Sequence, residues 1–195
     1  ESDLVLCLMF VTRQTFSTSS SSIPKLSSTY FAGLYAPLGM LSLMLIDDFG
    51  LQKEGFVLTI SLVVMVWGAD SFAYFGGRLF GKRPLAPTIS PKKTWEGLLF
   101  GYLGSVVGML LVYELAPLFM DSFAIPLSIL QMVSMAILVA TFGPVGDLLE
   151  SKIKRKANTK DSSDLIPGHG GFFDRFDALL LAAPACYVYL RILLA

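Results

Sequence analysis

Asp147, Glu150, Ser151 and Lys154 stand at steps of three and four, so a helix would carry all four on one face. Asp174 and Asp177, three apart, would share a face of a second helix. Between them lies a polar run with Lys152, Arg155, Lys156, Lys160 and Asp161, followed by the turn Pro167-Gly168-His169-Gly170-Gly171. The turn has little side-chain bulk, so backbone amides could approach an anion closely. In all, residues 146–177 hold six acids, six bases and the single histidine of the sequence. Two helix ends with carboxylates, joined by a loop rich in Lys and Arg, suit a hard cation together with phosphates. Such cations take oxygen ligands and bridge to substrate phosphates, and the basic side chains neutralise the charge that remains. Apolar runs flank the stretch, and its charges continue into them. Charge at the edge of hydrocarbon is costly and marks a functional site.

These residues carry a family resemblance. Ser151-x-Ile153-Lys154-Arg155, then Lys160-Asp161 after four residues, then Ile166-Pro167-x-His169-Gly170-Gly171-Phe172-x-Asp174-Arg175-x-Asp177, resembles the signature of phosphatidate cytidylyltransferases, also called CDP-diacylglycerol synthases. Ser163 departs from the pattern, where glycine is common. The run 90–97, Ser-Pro-Lys-Lys-Thr-Trp-Glu-Gly, also resembles the family, in which it precedes a span and helps to form the active-site cavity. The resemblance implies an integral membrane enzyme that joins CTP to phosphatidate and releases pyrophosphate. It implies Asp147 and Asp174 as ligands of Mg²⁺, with a second cation such as K⁺ admitted beside it, and a homodimer. Family members extend further at the N-terminus, so the chain is expected to be truncated there.

The elements that position these residues are legible in the composition. The chain has 195 residues, is 54% hydrophobic and 15% charged, and has a mean hydropathy of +0.65. That balance fits a polytopic membrane protein. A net charge of zero argues against a nucleic-acid partner, which would draw a basic excess. Cys7 and Cys186 lie far apart in apolar sequence and imply no disulfide framework. The expected fold is all-α, with five transmembrane helices over 30–46, 56–80, 97–119, 127–146 and 178–195. Residues 1–29 are expected to be a helix remnant and a Ser-rich loop. A catalytic membrane domain follows over 30–195, with cytoplasmic loops at 78–96 and 147–177. Gly143-Pro144 is placed to kink the helix that enters the second loop. Gly97, Gly101 and Ser105, with Gly104 and Gly108, are spaced to let helices pack closely in lipid.

Two further features bear on the site. Asp70 interrupts the span 56–80, where a lone carboxylate costs roughly 2.5–3.5 kcal/mol unless it faces a partner or a cavity. Either a helix–helix hydrogen bond or a place on the polar cavity would account for it. The loop 78–96 carries three prolines and the cluster Lys82, Arg83, Lys92 and Lys93; it could be purely topogenic, with Trp95 at the interface, or contact substrate. Gly76-x-x-x-x-Gly81-Lys82 approaches a phosphate loop, but Arg83 cannot supply the hydroxyl that Mg²⁺ requires. Of the 15 Lys and Arg residues, 13 fall in three stretches that alternating spans place on one side, the cytoplasmic one.

The sequence thus predicts a membrane cytidylyltransferase of the inner, or plasma, membrane of bacterial type, with its site toward the cytoplasm. Asp147 and Asp174 are assigned to the metal, with Glu150 and Asp177 in support. Lys154, Arg155, Lys160 and Arg175 are assigned to phosphates, and Asp161 to orienting Lys160 or a metal-bound water. Ser90, Lys92 and Lys93 are expected to hold the second substrate, with Asp70 beside them. His169 either donates to a phosphate or fixes the turn. Lys160, Asp161, His169 and Asp177 form the expected catalytic group. A transporter would share an acidic membrane cavity but would not need the glycine-rich anion turn. Enzymes that use CDP-alcohols carry an Asp-Gly pair, which is absent from this sequence. A cytidylyltransferase acting on another lipid phosphate fits the same residues.

Overall fold

The computed structural model describes residues 22–49, 52–119, 127–156 and 173–194. Five helices and one hairpin follow in order: α1 (Ser22–Asp47), α2 (Gln52–Phe80), β1 (Pro84–Ala86), β2 (Ser90–Thr94), α3 (Trp95–Phe119), α4 (Ile129–Lys156) and α5 (Phe173–Leu194). The fold is all-α apart from the hairpin. Helices α2 to α5 contain apolar stretches of 27, 24, 27 and 20 residues, long and apolar enough to cross a membrane. At 1.5 Å per residue the longer ones reach about 40 Å, more than the ~30 Å of bilayer hydrocarbon, so their polar ends can emerge. Large apolar side chains such as Trp67, Leu99, Leu130 and Ile192 face outward. Helices apolar on all sides suit lipid as solvent, and the chain is accordingly an integral membrane protein.

The helix ends differ from the sequence expectation in two places. Helix α1 begins at Ser22, within the Ser-rich stretch expected to be a loop up to residue 29. Pro24 lies in its first turn, where a backbone N–H has no intrahelical partner, so it does not oppose the helix. Helix α4 continues past the expected span end at residue 146, through Pro144 to Lys156, so part of the expected loop 147–177 is helical and Asp147 to Lys154 share the face that their spacing predicts. The charged residues from Asp147 onward are therefore held on a rigid element.

Small residues set the helix spacing. Helices α2 and α3 pack antiparallel along a stripe formed by Gly97, Gly101, Gly104 and Gly108. At its centre a Cβ on Gly104 would lie 2.2 Å from the Gly68 carbonyl oxygen, so only glycine fits. Ser105 does not belong to this stripe. It is fully buried and donates to the Ala136 carbonyl at 2.9 Å, joining α3 to α4. Ile46, Leu62, Met65, Met135, Val139 and Leu190 fill the core, with Ala136, Ala182 and Ala183 allowing α4 and α5 to approach. The Gln131 carbonyl accepts from Ser134 Oγ at 2.9 Å and Tyr189 Oη at 3.0 Å, and the two hydroxyls also meet each other.

The segment between α2 and α3 is a small antiparallel hairpin, pairing Pro84 with Thr94 and Ala86 with Ser90. Its prolines prevent helix, and two strands remain possible because neither needs a second neighbour. Its base is fixed to α3. The backbone amides of Lys82 and Arg83 donate to Glu96 Oε2 at 3.0 and 3.1 Å. The Trp95 amide donates to the Arg83 carbonyl at 3.0 Å. Thr94 Oγ1 accepts from the Gly97 amide at 3.1 Å and caps α3.

Candidate active site

The site lies where the last turns of α4 meet the first turn of α5. Gly146 makes the meeting possible: a Cβ there would stand 2.5 Å from the Asp177 carbonyl oxygen. A methyl group would therefore push α5 away at the level of the carboxylates. The same carbonyl accepts from the Tyr35 hydroxyl at 3.3 Å, which ties α1 to this corner. Asp177 Oδ1 accepts from the Ala178 amide at 2.7 Å, orienting that carboxylate at the helix start.

This packing gathers Asp147, Glu150 and Asp177, each offering a carboxylate oxygen within 4.8 Å of the others. Asp174 is not one of the three. Its Oδ1 is held by Lys154 Nζ at 2.7 Å, and the same nitrogen lies 2.7 Å from Glu150 Oε2. Lys154 thus bridges α4 and α5 through two carboxylates. Ser151 Oγ donates to Asp147 Oδ1 at 3.2 Å, while Asp147 Oδ2 receives Lys93 Nζ at 2.5 Å from the hairpin.

The carboxylates suit a hard cation. Ligand oxygens around one such ion sit about 2.0–2.6 Å from it, so opposite ligands stand roughly 4–5 Å apart. The spacing of Asp147, Glu150 and Asp177 meets that condition. Glu150 gives a second indication, since the residue is only 1% exposed and its Oε1 has no hydrogen-bond partner among the described residues. A buried carboxylate oxygen without a donor is costly, and a cation would satisfy it.

A cavity of about 550 Å³ opens beside Asp147 between α2, α3, α4 and the hairpin. Asp70, Arg78, Lys92, Lys93 and Asp147 supply its charge, and Leu85 and Leu98 part of its apolar wall. Gly77, Gly97 and Gly101 line it without filling it. The cavity therefore offers an anion site next to carboxylates, with apolar surface for a hydrocarbon chain.

The residues singled out in the sequence fall into distinct places. Asp147, Asp177 and Glu150 come together, and Asp70, Lys92 and Lys93 line the adjoining cavity. Ser90 opens β2 but is not among the cavity-lining residues. Lys154 faces carboxylates, and Arg155 and Arg175 are exposed. Lys160, Asp161 and His169 lie outside the described residues. Three contributors were not singled out in the sequence. Tyr35 lies in a segment without a motif, and Glu96 lies in the run 90–97 that resembles the family but was given no role of its own. Gly146 precedes Asp147 directly, and a glycine on the interior face of a charged helix end was its only signal.

Comparison with known proteins adds identity to this geometry. The model of the "Cytidylyltransferase family" matches residues 3–193. A phosphatidate cytidylyltransferase of Brucella abortus (strain 2308) is 41% identical over 161 residues, 81% of this chain and 55% of the relative. One of Bacillus subtilis (strain 168) is 33% identical over 189 residues, 97% of this chain and 65% of the relative. One of Haemophilus influenzae is 40% identical over 131 residues, 67% of this chain and 44% of the relative. The chain spans about half to two thirds of the length of these curated relatives. The match extends from the first helix through the carboxylates of α5, and on that basis the chain belongs to the cytidylyltransferase family.

Proposed function

We propose that the protein transfers a cytidylyl group from CTP to phosphatidate, giving CDP-diacylglycerol and pyrophosphate. The observation that carries this reading is the group of three carboxylates, one of which, Asp147, also lines a cavity that carries Arg78, Lys92 and Lys93 together with apolar wall. The relatives named as phosphatidate cytidylyltransferases support the choice of substrates. A phosphate oxygen of phosphatidate attacks the α-phosphorus of CTP, and the bond from that phosphorus to the bridging oxygen breaks as pyrophosphate leaves. The nucleophile is already anionic near neutral pH, so no strong general base is required. The barrier lies in bringing two polyanions together.

Asp147, Glu150 and Asp177 are the residues that would hold Mg²⁺, with Asp174 set by Lys154 at their edge. When bound, Mg²⁺ supplies Lewis-acid stabilisation of charge on the transferred phosphoryl group. A second cation such as K⁺ belongs to the same proposal, as the resemblance implies. Lys92 and Lys93 hold a substrate phosphate in the cavity, with Arg78 also lining it and Ser90 at the start of β2. Lys160, His169, Arg155 and Arg175 are assigned to the remaining phosphates, and Asp161 to orienting Lys160. Helix α1, with 26 residues, supplies a fifth span; the helix expected before it lies outside the described residues. The 13-to-2 division of basic residues supports a cytoplasmic site in an inner membrane, where CTP is available. A homodimer completes the assembly that the resemblance implies.

The test is direct. Purified protein in detergent receives labelled CTP, Mg²⁺ and, separately, phosphatidate, a prenyl phosphate and a sugar phosphate. Phosphatidate alone should yield labelled CDP-lipid with equal pyrophosphate. A product from prenyl phosphate in preference would move the reading to another lipid phosphate, and no pyrophosphate with any acceptor would refute it.

A further inference from the structure

Lys93 reaches from the hairpin to within 2.5 Å of Asp147 Oδ2. Asp147 belongs to the three carboxylates whose spacing suits one cation, and Lys93, like Asp147, lines the cavity. Lys154 is committed differently: it is bound to Glu150 and Asp174 at once, inside the α4–α5 contact. The two lysines therefore play unlike parts. Lys154 sits between two helices that must stay together. Lys93 sits on a two-stranded hairpin, partly exposed, with one ion pair among the described residues, to Asp147, and open cavity beside it.

We propose that Lys93 is a tethered counter-cation that holds Asp147 until a divalent cation takes its place, and then turns into the cavity to meet a substrate phosphate. The ammonium and the metal compete for Asp147 Oδ2, because two cations cannot share that oxygen without strong repulsion. The ammonium's alternative partner is an anion in the cavity. Anion and metal binding are thereby linked, since each draws Lys93 in the same direction. The tether lowers the electrostatic cost of an empty acidic cluster in the membrane and hands its charge to the phosphate when the cluster fills. This inference rests on the reading of Asp147, Glu150 and Asp177 as a cation site.

The sign of one measurement decides it. Mn²⁺ binding to the full chain in detergent, without nucleotide, is followed by electron paramagnetic resonance of free Mn²⁺. Lys93→Met should bind Mn²⁺ more tightly than wild type by about fivefold or more, the factor equivalent to an ion pair of ~1 kcal/mol. Lys93→Arg and Lys152→Met, the second an exposed lysine of α4 with the same charge change, should bind as wild type does. If Lys93 instead positioned Asp147, Lys93→Met would bind more weakly; that result, or unchanged binding, overturns the proposal and leaves the cation site standing. No Mn²⁺ binding to either protein overturns both. The second readout needs no variant: amine-reactive labelling of Lys93 in wild type, located by mass spectrometry, should rise as Mn²⁺ is added. Labelling that does not respond to bound Mn²⁺ overturns the exchange.

Discussion

Lys154→Met removes the cation that joins α4 to α5. Lys154 Nζ lies 2.7 Å from both Glu150 Oε2 and Asp174 Oδ1, and the three side chains are 18, 2 and 12% exposed. Breaking a buried pair from one side costs about 3–5 kcal/mol, because the partner stays buried and charged, whereas an exposed pair is worth ~0–1 kcal/mol. Glu150 is at the buried limit, and the partial exposure of Lys154 moderates the cost, so about 2–4 kcal/mol is expected. For a chain of this size that corresponds to a fall in Tm on the order of 10 °C. The assay is thermal unfolding in detergent with chelator present, comparing wild type, Lys154→Met, Glu150→Gln and the double variant. Glu150→Gln removes the charge that Lys154 offsets, so the double variant should be more stable than the sum of the singles by about 1–3 kcal/mol. A Lys154→Met protein that melts with wild type, or strict additivity in the double variant, would refute the bridging role and return Lys154 to the phosphates.

Gly146→Ala places a Cβ 2.5 Å from the Asp177 carbonyl and should cost about 1–3 kcal/mol in Tm-derived stability, with loss of cytidylyl transfer as Asp177 is displaced. Gly143→Ala, whose Cβ would meet Ala178 Cβ at 3.7 Å, should match wild type in both assays. Gly104→Ala should lower Tm because its Cβ would lie 2.2 Å from the Gly68 carbonyl, while Gly101→Ala, with 3.4 Å to its nearest neighbour, should be tolerated. Glu96→Ala releases the amides of Lys82 and Arg83 and should raise KM for the substrate proposed to meet Lys92 and Lys93 more than it lowers kcat.

Much of the site was legible because its information is local. The steps of three and four from Asp147 to Lys154 fix a shared helix face, and α4 presents them so. The small-residue spacing of α3 announced close packing, and the glycines deliver it against α2. What stayed hidden depends on how two helices are rotated against each other. Asp174 and Asp177 both lie near the start of α5, and nothing in their spacing says which joins Asp147. The close approach at Gly146 decides for Asp177, and Lys154 takes Asp174. Lys154 and Lys93 look alike as basic residues, yet one is locked between helices and the other faces a cavity. Tyr35 is separated from its partner Asp177 by 142 residues, a pairing no local pattern can carry.

The central claim is that the carboxylates of α4 and α5 support cytidylyl transfer through a bound divalent cation. The measurement that addresses it most directly is CDP-lipid formation by Asp147→Asn from labelled CTP and phosphatidate across a Mg²⁺ titration. The variant keeps the size of the side chain and removes an anionic ligand. It should express, remain monodisperse and lose on the order of 10²–10³ in kcat, with no recovery at high Mg²⁺. Asp48→Asn, in the connection between α1 and α2, should turn over as wild type does. Near-full activity of Asp147→Asn at every Mg²⁺ concentration would contradict the account.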